Sequence, residues 1–151
     1  MVTLVGFGIA IHQIRATKTA SEQAKEVAEG VRNQILQMNA VRGLDAAIKA
    51  FEIIRKLHRA ESWDALPELY TSLKHELIAI KVRTPNMSDA HRTQLQNAIQ
   101  QISNMEKQVE GTIGGGSTPE VDRMNNVVSR QMDRLGQVIV ELQIAIERPR
   151  Q

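Results

Sequence analysis

Four histidines, two short glycine groups and one knot of cations are the places where this chain could hold chemistry. His12, His58, His75 and His91 are scattered along the sequence. None stands three residues after a glutamate, the spacing by which helical bundles hold a pair of metal ions. No His-Glu-x-x-His run exists, and His75 and Glu76 are neighbours, which sends them to different faces of a helix. A metal needs several convergent ligands, so all four histidines are expected at the surface or its boundary. Gly6-x-Gly8 and Gly114-Gly115-Gly116 resemble phosphate loops only in their glycines: neither follows a strand, and neither ends in Gly-Lys-Ser/Thr. The triple glycine reads as part of a flexible connector over residues 111–118. With no cysteine in the chain, disulfides, thiolate catalysis and cysteine-held zinc are excluded. No catalytic residue, metal or cofactor is assigned.

The cations Arg55, Lys56 and Arg59 surround His58, and Arg55 and Arg59 share a helix face at a spacing of four. An anionic headgroup or a phosphate could sit there. The net charge of the chain is only +2, however, and no aromatic residue interleaves the cluster for base stacking. A solvated face is expected, and nucleic acid is not the expected partner.

The elements that carry these residues are helices. Of 151 residues 42% are hydrophobic and 24% charged, which suits a folded domain, while aromatics make up only 3%. That composition favours helix-on-helix packing by Leu, Ile, Val, Met and Ala. Ala24, Val27, Val31, Ile35 and Met38 step by three or four and draw one stripe, which predicts a long first helix ending near Arg42-Gly43. Leu44, Ala47, Ile48, Phe51, Ile54 and Leu57, widened by Ile53, predict a second helix to about Ala60. A turn at Glu61–Asp64 leads into a third, with Pro67 in its first turn and a seam of Leu66, Tyr70, Leu73, Leu77 and Ile80. Trp63 and Tyr70 are expected to anchor that turn. Ser88 or Asp89 caps a fourth helix, with the seam Leu95, Ala98 or Ile99, Ile102, Met105 and Val109. Thr118-Pro119 starts a fifth, with the seam Met124, Val128, Met132, Leu135, Ile139, Leu142 and Ile146. The fold class is therefore all-α: an elongated, antiparallel bundle of four to five helices with a long N-terminal helix, its bundle domain covering residues 15–148.

Residues 1–14 form an apolar segment apart from that domain. From Val2 to Ile11 the strongest polar group is the Thr3 hydroxyl, and Arg15 and Lys18 follow directly. A first helix of about 40 residues, roughly 60 Å long, outreaches neighbours of roughly 38–45 Å. The overhang is apolar and needs cover. Val2, Leu4, Val5, Phe7, Ile9, Ile11 and Ile14 are therefore assigned to contact with a membrane or with another copy of the chain. About 20 apolar residues are needed to span a bilayer, and this run is shorter.

The order of that apolar run, Ile11-His12-Gln13-Ile14-Arg15-Ala16-Thr17-Lys18-Thr19-Ala20, Lys56-Leu57-His58-Arg59-Ala60 and Trp63-Asp64-Ala65-Leu66-Pro67-Glu68-Leu69-Tyr70 resembles small uncharacterised bacterial proteins with one N-terminal membrane helix and a cytoplasmic helical domain. The resemblance implies a membrane anchor and brings no activity. The function expected is that of a non-enzymatic adaptor or scaffold. It would be membrane-associated with its helical domain in the cytoplasm, or self-assembled, and would recruit another protein. A pore-forming or membrane-perturbing effector is the first alternative. A ligand sensor or enzyme with an unrecognised site in the bundle core is the second.

Overall fold

A computed structural model describes the backbone of residues 2–148 and the side chains of residues 19–148. The chain is all-α, as the composition implies, and the described residues form four α-helices and one short 3-10 turn. Helix α1 runs Val2–Arg59, the 3-10 turn Trp63–Ala65, α2 Leu66–Arg83, α3 Asp89–Ile113 and α4 Val121–Glu147. The chain divides into two compact units, Met1–Ile35 and Leu36–Gln151. The first is the leading part of α1. The second holds the rest of α1 and all other elements, and it contains the core.

The break expected at Arg42-Gly43 does not occur, because α1 passes through it as helix. Gly43 serves packing instead. A Cβ there would stand 2.9 Å from Cδ1 and 3.3 Å from Cγ1 of Ile80, so the missing side chain lets α2 close on α1. The first two expected helices are thus one. The connector expected over residues 111–118 starts later. Helix α3 continues past Gly111 to Ile113, and the glycines after it close its end. Gly116 N–H donates to Gly111 C=O at 2.8 Å and Gly115 N–H to Thr112 C=O at 3.1 Å, with Gly115 at φ +92°. That pair of bonds around a left-handed residue satisfies carbonyls a helix end leaves free. The end of α1 is closed the same way. Ser62 N–H donates to Leu57 C=O at 3.0 Å and Glu61 N–H to His58 C=O at 3.1 Å, with Glu61 at φ 52°.

The expected seams of α2 and α3 are buried residue for residue, and Ser88 accepts the His91 N–H as their cap requires. On α1, Leu44, Ala47, Phe51 and Ile54 enter the core, Ile48 and Leu57 pack against it, and Ile53 is left exposed. Helix α4 starts at Val121, later than Thr118-Pro119 implies, with no side-chain cap at Glu120. Its buried face is also turned from the expected one. Met124, Val128, Leu135 and Leu142 are buried as read, but Asn125, Gln131 and Val138 are buried with them, while Met132 and Ile139 only pack against the edge. Burying each large aliphatic side chain stabilises the bundle by about 1.5–3 kcal/mol, so this core dominates the second unit.

Gly43→Leu forces a branched side chain into the space Ile80 occupies. It is expected to lower the unfolding free energy by about 1–3 kcal/mol, read from denaturant melts, and pairing it with Ile80→Ala is expected to restore part of the loss.

Candidate functional site

Two features of the described residues stand out, one sealed and one open. The sealed one is His58. It is completely buried, against the expectation that placed it at the surface or its boundary. Its face explains why: Phe51, Ile54 and His58 step by three and four, so the imidazole continues the apolar face of α1 inward. The last turn of α1, the 3-10 turn, α2 and α4 supply its surroundings. His58 Nδ1 lies 2.8 Å from Asn125 Oδ1 and Nε2 lies 2.5 Å from the Tyr70 hydroxyl. The Asn125 amide in turn donates to Arg55 C=O at 3.4 Å. With the Asn125 oxygen accepting, Nδ1 carries the proton, and the Tyr70 O–H donates to the bare Nε2. Trp63 closes one side, its ring 6.2 Å from the imidazole between centroids.

Both rings are held in their neutral forms. Burial pushes the His58 imidazole below its ordinary value, outweighing the Asn125 hydrogen bond that favours the charged form. Burial, and then the nearby Glu106 carboxylate, push the Tyr70 phenol well above its usual range. Glu106 is itself paired with Lys74, which ties α3 to α2. A neutral histidine with both nitrogens satisfied is a structural clasp joining α1, α2 and α4. It has no open approach for a substrate.

The cations that could hold an anion differ in their surroundings. Arg55 is partly buried and donates to Ser129 Oγ at 3.2 Å, which ties α1 to α4, whereas Lys56 and Arg59 are exposed. His91 pairs with Glu141, and His75 is exposed. Among the described residues no group of three or more histidine, aspartate or glutamate side chains is placed to hold a metal. A cleft of about 440 Å³ between α3 and α4 is lined by Gln101, Asn104, Gln108, Glu120 and Arg123 with Met105. Met124 and Val127 complete its lining, so three carboxamides, one acid and one guanidinium face three apolar side chains.

The open feature is on the first unit. Every residue from Thr19 to Ile35 is exposed except the half-buried Asn33. The stripe read from the sequence is therefore uncovered: Val27 is 66% exposed, Val31 51% and Ile35 52%. Met38, in the second unit, is 42% exposed. Among the described residues no helix is long and apolar enough to cross a membrane. The side chains of Val2, Leu4, Val5, Phe7, Ile9, Ile11 and Ile14 lie outside the described residues. Comparison with known proteins finds no matching family, no matching curated protein and no matching solved structure.

Two outcomes follow from the His58 clasp. Asn125→Leu leaves a buried N–H without an acceptor and is expected to cost about 1–3 kcal/mol in denaturant melts, whereas Asn126→Leu, on the exposed neighbour, is expected to cost much less. The second concerns pH. Because the folded value is lowered, the unfolded chain binds the proton more readily. The His58 contribution is complete above the ordinary value of 6.5 and is lost as pH falls from there towards the lower folded value. Melts across that window are expected to show a steeper loss in the wild type than in His58→Gln.

Proposed function

We propose that this protein is a non-enzymatic helical adaptor, in which the leading part of α1 attaches the chain to another surface and the second unit is the body so attached. The observation that carries this reading is the contrast in cover. In the second unit the apolar seams are buried and the polar clusters are spent on holding helices together. On Thr19–Ile35 an apolar face of the same design has nothing laid on it. Exposed branched aliphatic residues at helical spacing are costly in water, and an amphipathic helix is a common recognition element. An isolated helix is also marginal without packing, and this one carries Gly30 and three β-branched residues in its stripe. The apolar run at residues 2–14 adds to the same element in the sequence.

The test is size analysis and cell fractionation of the full chain against Val27→Ser/Val31→Ser/Ile35→Ser. The wild type is expected in a larger assembly or with membranes, and the variant as a free monomer whose second unit melts unchanged. A wild type that is itself a free monomer, indistinguishable from the variant, would count against the reading.

A further inference from the structure

We infer that the surface covering the exposed face of α1 is the same face of a second copy, running parallel and in register. This rests on the attachment reading above and names its partner.

The first support is the step pattern. From Ala20 the exposed stripe advances to Ala24, Val27, Val31 and Ile35, by four, three, four and four. Backwards in the sequence the same steps reach Ala16, Gln13, Ile9, Val5 and Val2, so the order three-four-four repeats with a period of eleven. The run from Val2 to Ile14 is apolar at nearly every position and fits any register; Ala16, Ala20 and Ala24 are the residues that specify this one. A period of eleven means about 3.67 residues per turn. It is close to the 3.6 of an undistorted helix. Two such helices keep one stripe facing the other with little supercoiling, and small residues at Ala20 and Ala24 let them approach closely.

The second support is charge. Beside the stripe, one edge carries Ser21, Ala28 and Arg32 with Lys25 behind them, and the other carries Gln23, Gly30 and Gln34 with Glu26 behind them. One edge is thus cationic and the other is uncharged beside the stripe. A parallel pair lays unlike edges together, so Arg32 of each copy meets the uncharged edge of the other. An antiparallel pair lays the two Lys25–Arg32 edges against each other, which is unfavourable. A lipid surface fits less well. An interfacial helix carries a basic polar face, whereas Thr19–Ile35 bears Glu22, Glu26 and Glu29 against Lys25 and Arg32.

The chain has no native cysteine, which makes the geometry directly readable. Single variants Ala24→Cys and Ile35→Cys, each in the full chain, are expected to oxidise to disulfide-linked dimers, while Glu29→Cys, on the far side of the helix, is not. Val31→Asp is expected to weaken dimerisation about tenfold or more in sedimentation over a concentration series, with the melt of the second unit unchanged. Cross-linking only when Ala24→Cys and Ile35→Cys are mixed would overturn the parallel register. A chain that stays monomeric but floats with phosphatidylglycerol–phosphatidylcholine vesicles, and loses that with Val31→Asp, would overturn self-pairing and leave the attachment reading standing. A monomer that binds neither itself nor vesicles would end both.

Discussion

Water leaves an apolar helix face only when another surface is laid against it. In the second unit that requirement is met from within the chain. Leu44, Phe51 and Ile54 of α1 meet the seams of α2, α3 and α4, and Gly43 gives up its side chain so that Ile80 can come close. In the first unit the same helix carries Val27, Val31 and Ile35 with no cover among the described residues. That difference in cover separates the two units.

His58 shows how the bundle tolerates a polar group in its interior. A buried donor or acceptor without a partner costs more than a made hydrogen bond gains. Here each nitrogen has one, Asn125 on one side and Tyr70 on the other. The partners come from α4 and α2, so the three helices meet in one geometry only. An apolar core fixes that less sharply, because Leu and Ile can slide where an amide and a phenol cannot. The left-handed Glu61 then turns the chain at once into Trp63, which shields the cluster.

Much of this was legible in the sequence, and the remainder was hidden for physical reasons. The seams of α2 and α3 could be read because strongly apolar residues recur there at helical spacing with little in between. Gly43 was misread because a glycine that ends a helix and one that admits a neighbouring helix look alike until the neighbour is placed. The clasp was missed because periodicity counts apolar residues, and His58, Asn125 and Gln131 are polar members of buried faces. A signal existed in His58 standing in phase with Phe51 and Ile54. The rotation of α4 has the same origin. The stripe on α1 was legible as a pattern, but its exposure was not, because one chain's sequence does not say whether the covering surface belongs to it.

The most direct measurement is amide hydrogen exchange along Thr19–Ile35 at low and high protein concentration. A helix with no packing opens readily. If another copy covers it, its amides should exchange fast when dilute and become protected as concentration rises, while those of α2 and α3 stay unchanged. Rapid exchange at every concentration, or protection independent of concentration, would contradict the account.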